Sequence, residues 1–376
     1  MSTDQVLHVG RPNIGDRDAL LARINDLLDR RWLSNNGPLV QEFEAKIAGI
    51  LDVKYAIAMC NATVALEIAS RAIELQGEVI LPSYTFVATA HALQWQGITP
   101  VFCDVDPQTH NIDPRCIERL ITPKTTGIVG VHVWGRPCDT GAIEQIARQR
   151  GLKVMYDSSH AFGCSSGGKM IGGFGECEVF SFHATKFVNC FEGGVVTTND
   201  SQLAEKMRLM RNFGFEAFDR VVYLGVNGKM SEISAAMGLT NLESMQQFVD
   251  INRRNYLQYR KGLTGLRGIS LIHYDDAERN NFQYVVIEVD RSLCGRTRDE
   301  IVAHLHSRNI IARKYFWPGC HKMQPYRSLQ PNADLLLPET IRVAERVIVL
   351  PTGQAVDLET VSRVCSEIRD SLESPL

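Results

Sequence analysis

The sequence predicts an α/β protein with a mostly parallel central sheet and a smaller α+β domain at its C-terminal end. Between about residues 55 and 198, short apolar stretches alternate with longer helical stretches, which is typical of crossover units. That alternation stops near residue 250, and a chain of 376 residues is longer than one hydrophobic core usually supports. We therefore predict a large domain over residues 1–250 and a small domain over residues 251–376.

Each domain can be divided into predicted elements. Two helices are predicted before the sheet, at residues 14–33 and 39–51, with the turn-forming run SNNGP between them. The strands predicted for the sheet are residues 55–59, 77–81, 100–104, 128–133, 153–156, 178–182 and 194–198. The helices predicted between these strands are residues 62–74, 85–96 and 140–150. The elements predicted for the rest of the chain are helices at 231–263, 297–308 and 358–372 and strands at 282–289 and 347–350.

Composition excludes several functional classes. The formal net charge is −3 and there is no basic run, so we expect no nucleic-acid partner. No stretch approaches the roughly twenty apolar residues of a membrane span. The first twelve residues lack the pattern of a secretory signal, so we expect a cytoplasmic protein. The ten cysteines are scattered without a C-x-x-C pair, so we expect neither a metal site nor a disulfide framework.

The most informative segment surrounds Lys186. Residues 181–186 read SFHATK and residues 192–194 read EGG, and both lie next to predicted strands. A lysine just beyond a strand end can form a Schiff base with an aldehyde cofactor if burial keeps its amine partly neutral. Adjacent glycines let the backbone approach a bulky planar ligand closely. The alternative is a surface lysine before a Gly-Gly turn, which is the better interpretation for one lysine taken alone.

A second polar cluster directly follows the predicted strand 153–156. Residues 156–163 read YDSSHAFG, with Asp157 and His160 in the cluster. A carboxylate at this edge can pair with a protonated pyridine nitrogen and keep the ring an electron sink. The alternatives are an N-cap for Asp157 and a hydrogen-bonded core histidine for His160.

Two further segments follow strands. Residues 60–63 read CNAT between a strand and a helix, where free N–H groups and the helix dipole favour a phosphate. Plain capping by Asn61 is the competing interpretation. Residues 82–86 read PSYTF and offer an aromatic ring that can stack on a flat cofactor, or that belongs to the core.

Together these segments resemble the DegT/DnrJ/EryC1/StrS family of sugar aminotransferases. The likeness runs from about residue 8 to 350, with the family's motifs in the same order. Further matching stretches are NNGP from 35, DVD at 104–106, NID at 111–113, HVWG at 132–135, NGKMSE at 227–232 and AAMG at 235–238. The resemblance implies the aspartate-aminotransferase fold, which is fold type I of the pyridoxal-phosphate enzymes.

The resemblance also implies a division of labour around pyridoxal 5'-phosphate. Lys186 is implied to be the Schiff-base lysine and then the proton shuttle, with Asp157 paired to the ring nitrogen. The other implied cofactor contacts are His160 near the ring, Phe86 on its face, and Ala62, Thr63 and Ser181 at the phosphate. Asn227 is implied to reach the phosphate of a neighbouring subunit, which makes the active unit a homodimer.

Two positions depart from the commonest family pattern. Residues 61–63 read NAT where many members have Gly-Thr, and residues 189–191 read NCF before Glu192 where many have a glycine. Neither change removes a group that the mechanism needs.

The implied reaction transfers an amino group from L-glutamate to a nucleotide-linked keto-sugar. Residues 313–321 read RKYFWPGCH and combine cations with aromatic rings, which suits a nucleotide diphosphate; a packed aromatic loop is the alternative. The residues expected to contact the substrate are Arg313, Lys314, Tyr315, His321 and Glu192. Glu192, like His183, is alternatively structural. The loop resembles that of members acting on dTDP-4-keto-6-deoxyglucose, which implies dTDP-4-amino-4,6-dideoxyglucose as the product.

Several alternatives remain open. A 3-keto-sugar or a UDP-linked 4-keto-sugar could be the substrate instead. A cofactor-dependent sugar dehydratase on the same fold is disfavoured because such members carry histidine where this chain has Lys186. A scaffold protein without turnover predicts loss of Lys186 or Asp157, and both are present. A nicotinamide dehydrogenase predicts G-x-G-x-x-G after the first strand, where this chain has CNAT.

Overall fold

A seven-stranded sheet forms the centre of the protein. The structure is a computed structural model that describes residues 6–373. From one edge to the other, the strands are Tyr55–Met59, Gly194–Thr198, Cys177–Ser181, Lys153–Asp157, Thr125–Val131, Glu78–Pro82 and Thr99–Cys103. Gly194–Thr198 runs antiparallel to both of its neighbours, and the other pairings are parallel. The predicted mostly parallel sheet is therefore confirmed.

Helices cover both faces of this sheet, and apolar side chains of the strands pack beneath them. The helices before and around the sheet are Arg17–Arg30, Pro38–Leu51, Ala62–Ala72, Val87–Gln94, Thr140–Arg150, Ser201–Met210 and Glu232–Glu243. The first is shorter than its predicted range of 14–33. The Asp16 carboxylate caps its start by accepting from two backbone N–H groups, and Arg31 ends it in a left-handed conformation.

A smaller antiparallel sheet lies in the C-terminal part of the chain, with strands Ile269–Leu271, Val285–Val289 and Val347–Leu350. The helices packed around it are Met245–Leu263, Arg298–Ser307, Pro338–Arg346 and Leu358–Glu373. The stretch predicted as one helix over 231–263 is two helices, because the chain turns at Ser244. The α+β character predicted for this part is confirmed.

The predicted domain boundary at residue 250 falls inside the helix Met245–Leu263. The first turns of this helix pack into the core beside the large sheet, through Phe248. Its later turns pack into the core of the small sheet, through Tyr256 and Tyr259. The short strand Leu7–His8 also pairs with a strand of the C-terminal part. The division into 1–250 and 251–376 stays a prediction.

The carboxylate of Asp104 joins the two parts of the chain. Asp104 directly follows the edge strand Thr99–Cys103 and is buried. Its Oδ1 accepts hydrogen bonds from the backbone N–H of Thr340 at 2.7 Å and from the Thr340 hydroxyl at 2.8 Å. Its Oδ2 accepts from the N–H of Glu339 at 3.0 Å. These N–H groups belong to the first turn of Pro338–Arg346, so a residue of the large sheet caps a distant helix.

No helix within residues 6–373 is long and apolar enough to cross a membrane.

Candidate active site

A cavity of about 280 Å³ lies at the carboxyl edge of the large sheet. Most of the residues predicted to bind cofactor or substrate line it together. These are Ala62, Thr63, Phe86, Asp157, His160, Ser181, Lys186, Glu192 and Tyr315. The loops that carry them follow different strands, and the parallel arrangement brings the strand ends to one edge.

Lys186 lies in the loop after the strand Cys177–Ser181, and its side chain enters the cavity. Burial disfavours the ammonium and lowers the pKa of Lys186 to about 8, although the negative charge of Asp157 opposes that shift. The Nζ atom lies 3.3 Å from the hydroxyl oxygen of Tyr284. At pH 7 about a tenth of the amine is therefore neutral and nucleophilic, far more than for a lysine with its ordinary pKa.

Asp157 is the last residue of a central strand, and its carboxylate is buried and oriented by hydrogen bonds. Its Oδ2 accepts from the hydroxyl of Thr89 at 2.8 Å. Its Oδ1 accepts from the backbone N–H and the hydroxyl of Ser159, at 3.1 Å and 2.6 Å. The carboxylate therefore has a fixed orientation at the cavity wall, opposite in charge to a protonated Lys186.

His160 lies beside Asp157 in a group of aromatic rings. Its ring centroid is 4.4 Å from that of Tyr284, and its ring plane is nearly parallel to those of Trp134 and Phe316. The Nδ1 atom accepts a hydrogen bond from the backbone N–H of Trp134 at 3.2 Å, so the proton of the neutral ring is on Nε2. Burial and, to a smaller degree, the charge of Lys186 hold the pKa of His160 well below its ordinary value. His160 is therefore a neutral donor near Lys186.

The start of the helix Ala62–Ala72 forms the far end of the cavity. Asn61 caps this helix: its Oδ1 accepts from the backbone N–H of Val64 at 2.8 Å. The N–H groups of Ala62 and Thr63 belong to the first turn, which has no intrahelical partners. The backbone of Gly194 passes directly beneath, since a Cβ atom there would lie 2.5 Å from the carbonyl carbon of Asn61. Capping by Asn61 uses the N–H of Val64, so it leaves the N–H groups of Ala62 and Thr63 available to an anion.

Phe86 and Glu192 lie at the rim of the cavity. Phe86 precedes the helix Val87–Gln94, and 60% of its surface is exposed, so its ring is open to the cavity. Glu192 is exposed and lies 3.5 Å from the Nε2 atom of His183. Both side chains are free to contact a ligand that enters from solvent.

A second cavity, of about 300 Å³, adjoins the first and shares four residues of its wall: Thr85, Phe86, Tyr315 and Phe316. Arg313 and Lys314 line this second cavity with Trp317. The Arg313 guanidinium lies 5.0 Å from the Tyr315 ring centroid, and the Lys314 amine lies 4.7 Å from that of Trp317. Lys314 also pairs with Asp299 at 3.1 Å. The loop therefore presents cations and rings beside the Lys186 cavity.

His321 and Asn227 do not line either of these cavities. His321 is buried, and its Nδ1 accepts from the Ser83 hydroxyl at 2.7 Å. Burial lowers the pKa of His321 to about 4, so its ring is neutral at physiological pH. His321 therefore lies outside both cavities, although it was predicted to contact the substrate. Asn227 lies on the exposed surface, outside the pocket of its own chain. The roles given to both residues stay predictions.

Sequence patterns missed several residues of this site, among them Tyr284 and Phe316. Tyr284 and Phe316 both line the cavity, and Tyr284 contacts Lys186 directly. The only available signal for Tyr284 was its position in the predicted strand 282–289. A strand residue 98 positions away from Lys186 carries no local indication that their side chains meet.

Comparisons with known proteins show which family the chain belongs to. The model of the DegT/DnrJ/EryC1/StrS aminotransferase family matches residues 15–369. A dTDP-4-amino-4,6-dideoxy-D-glucose transaminase of Shigella dysenteriae is 37% identical over 98% of this chain and 99% of its own. A GDP-perosamine synthase of Caulobacter vibrioides is 35% identical over 94% of each chain.

A crystal structure of DesI, determined in the presence of its TDP-sugar product, matches the fold with a TM-score of 0.94. The two sequences are 47% identical, over 98% of this chain and 94% of DesI. The predicted fold is thereby confirmed as that of the sugar aminotransferases. The chain belongs to the DegT/DnrJ/EryC1/StrS aminotransferase family.

Proposed function

We propose that this aminotransferase uses pyridoxal 5'-phosphate to move an amino group from L-glutamate to the 4-keto carbon of dTDP-4-keto-6-deoxyglucose. The product is dTDP-4-amino-4,6-dideoxyglucose. One observation carries the proposal: Lys186 and Asp157 share the wall of one cavity that ends at a helix N-terminus. The name of the Shigella dysenteriae relative supports the choice of sugar.

The residues of the cavity fit this cofactor. The first turn of Ala62–Ala72 and the Ser181 hydroxyl suit a phosphate. Gly194 keeps the backbone beneath that turn close enough to form a cradle that a side chain would fill. Asp157 is a buried carboxylate, which suits a protonated ring nitrogen. Lys186 supplies an amine for the covalent link.

When bound, pyridoxal phosphate supplies a carbonyl that links to amines and a ring that draws electrons from the reacting carbon. The protein supplies the proton transfers and the orientation. With the cofactor bound, the amine of Lys186, whose pKa is lowered to about 8, would move a proton from the donor's α carbon to the cofactor's reactive carbon in the first half-reaction. In the second half-reaction it would move a proton from that carbon to the sugar carbon. Asp157 would hold the positive charge of the ring nitrogen, and His160, which is neutral, would lie near the ring because it lines the same cavity. We expect ping-pong kinetics, with 2-oxoglutarate released first.

The adjoining cavity suits the nucleotide part of the substrate. Arg313 and Lys314 offer positive charge for a diphosphate, and Tyr315 and Trp317 offer flat rings for a base or sugar. Because Tyr315 and Phe316 line both cavities, a sugar nucleotide can place its sugar near Lys186 and its nucleotide beside Arg313. Glu192 at the rim is placed to contact the sugar.

We further propose a homodimer with shared active sites. Asn227 follows a surface segment with many exposed apolar side chains: Phe213, Phe215, Phe218, Val221, Leu224 and Val226. Phe218 is fully exposed and Leu224 is 71% exposed. So many exposed apolar side chains within one short segment are typical of a subunit interface. A second copy seated on it would bring Asn227 to the neighbouring cofactor's phosphate.

A visible spectrum tests the cofactor link. We expect the purified protein to show an absorbance band from pyridoxal phosphate bound through Lys186. Lys186→Ala removes the amine, so the band and transamination should both disappear. Lys46→Ala is the control, since that lysine is partly exposed, pairs with Glu42 and Glu243, and does not line the cavity. An unchanged band in Lys186→Ala would rule out the proposal.

A substrate panel tests the sugar and the nucleotide. The enzyme is supplied with glutamate and with 4-keto and 3-keto sugars linked to dTDP, UDP or GDP, and 2-oxoglutarate is measured. NMR of the product then gives the carbon that carries the amine. We expect the highest kcat/KM for dTDP-4-keto-6-deoxyglucose. A higher value for a GDP-linked sugar would instead favour the activity named for the Caulobacter relative.

A further inference from the structure

A four-residue segment of the C-terminal part hydrogen-bonds to both loops that carry the proposed catalytic residues. Residues 281–284, here called the 281–284 segment, precede the strand Val285–Val289. The Asn281 amide nitrogen donates to the carbonyls of His160 and Phe162 at 2.9 Å and 3.0 Å. Gln283 Oε1 accepts from the backbone N–H of Phe187 at 3.0 Å. The segment therefore fixes the distance between the Asp157 loop and the Lys186 loop.

Tyr284, the last residue of this segment, contacts the Lys186 amine directly. Its hydroxyl oxygen lies 3.3 Å from the Lys186 Nζ. Its ring packs against His160 and Trp134, with centroids 4.4 Å and 5.3 Å away. Its backbone carbonyl accepts from the Tyr274 hydroxyl at 2.7 Å. The ring and backbone of Tyr284 are therefore both held, and its hydroxyl has a defined place beside the amine.

We propose that Tyr284 is a positioning residue, whose hydroxyl holds the Lys186 amine in place for proton transfer while the 281–284 segment fixes that hydroxyl against both loops. The inference rests on the proposed role of Lys186. It extends that role by assigning a residue of the C-terminal part to the control of the amine.

The protonation states of Tyr284 and Lys186 decide which of them donates the hydrogen bond between them. Burial raises the pKa of Tyr284, so the phenol stays neutral. When Lys186 is an ammonium, the phenol oxygen accepts an N–H hydrogen bond from it, which stabilises the charged form. The other titratable groups that face this cavity are Asp157, His160, His183, Glu192 and Tyr315. Asp157 also favours the ammonium, whereas burial opposes it.

Tyr284→Phe tests the inference, because it keeps the ring and removes only the hydroxyl. The full-length chain is freed of cofactor, labelled with limiting acetic anhydride at pH values on both sides of 8, and the acetylation of Lys186 is followed by mass spectrometry. We expect a midpoint near 8 for the unchanged chain. Loss of a hydrogen bond to the ammonium should lower the midpoint by about one pH unit in Tyr284→Phe.

Tyr259→Phe is the matched control. Tyr259 is another buried tyrosine of the C-terminal part, and its hydroxyl donates to the carbonyl of Pro351 at 2.8 Å, away from Lys186. Its loss removes one buried hydrogen bond, so thermal unfolding should shift without a change in the Lys186 midpoint. Circular dichroism checks that both variants fold.

The cofactor-loaded enzyme gives a second measurement. Tyr284→Phe should lower kcat by about ten- to a hundredfold and enlarge the isotope effect with glutamate deuterated at its α carbon, since proton transfer becomes slower. A midpoint and an isotope effect equal to those of the unchanged enzyme would overturn the role of Tyr284. In that case loss of the visible band in Lys186→Ala would still support the proposed function, so the two failures are distinguishable.

Discussion

At the residue scale, the site depends on side chains whose neighbours fix their charge. Lys186 and Asp157 were predictable because each lies at the end of a strand, or a few residues beyond it, and the apolar pattern of both strands is clear in the sequence. Their environment was not predictable. The Thr89 hydroxyl that orients Asp157 lies 68 positions away, and the partner of Lys186 lies 98 positions away. Local patterns indicate which groups lie at a strand end, but not which distant side chains complete their hydrogen bonds.

Asp157→Asn is the first prediction at this scale. The substitution keeps the shape of the side chain, removes its negative charge and replaces one acceptor with a donor. We expect kcat/KM to fall by at least about a hundredfold, because the ring nitrogen loses its counter-charge. Steady-state kinetics measure this. Asp106→Asn is the control, since Asp106 also accepts backbone N–H bonds, in a turn outside the cavity. Undiminished turnover by Asp157→Asn would contradict the role given to this carboxylate.

At the scale of helices and strands, the seven strands of the large sheet lie within three residues of their predicted ends. The helix Pro338–Arg346 was not predicted. Residues distant in the sequence hydrogen-bond to both of its ends, and a local pattern cannot show such partners. Asp104 satisfies the N–H groups of its first turn, and Arg298 donates to the carbonyls of Ala344 and Val347 at its end. The strand predicted from residue 282 begins at Val285, because the preceding residues hydrogen-bond to loops instead of to a neighbouring strand.

Gly194→Ala is the prediction at this scale. Its Cβ atom would lie 2.5–2.7 Å from backbone atoms of Asn61 and Ala62, so either the strand or the helix start must shift. We expect a loss of about 1–3 kcal/mol in the free energy of unfolding. We also expect weaker retention of pyridoxal phosphate, measured by its release on dialysis, because the phosphate contacts move.

Gly49→Ala is the comparison for that variant. Gly49 lies in the helix Pro38–Leu51, and a Cβ atom there meets no other atom within 4 Å. Alanine should raise the free energy of unfolding by about 0.5–1 kcal/mol, because it restricts the unfolded chain. Urea denaturation measures both variants. Equal stability of Gly194→Ala and the unchanged protein would show that the turn is not tightly packed there.

At the scale of the whole molecule, chain length predicted two domains, but it could not indicate where the packing changes along the chain. A single helix, Met245–Leu263, contributes to both cores, and the strand at Leu7–His8 returns to the C-terminal part. Apolar periodicity along a helix does not reveal that its two ends face different partners. The sequence likewise does not show that the apolar side chains before Asn227 are exposed, which is known only from the structure.

Mixing inactive subunits tests the proposed shared site. Lys186→Ala subunits retain Asn227, and Asn227→Ala subunits retain Lys186, so a mixed dimer contains one complete site. We expect each variant alone to be weakly active or inactive, and random mixing to restore roughly a quarter of the unchanged activity. Sedimentation velocity confirms that both variants form dimers. Mixing Lys186→Ala with Asp157→Asn should restore nothing, because no site in that mixture is complete. Absence of recovery in the first mixture would argue against a shared site.

The Asp104 carboxylate has a consequence for how a large substrate arrives. It joins the edge of the main sheet to the helix Pro338–Arg346 by two buried hydrogen bonds and one partly buried hydrogen bond. A movement of this helix away from the sheet would have to break all three together. We therefore expect a sugar nucleotide to bind to a preformed site, without closure of the C-terminal part over it. Selectivity among nucleotides would then depend on the shape of the second cavity, beside Arg313 and Trp317. Substitution of these two side chains should therefore alter KM more than kcat.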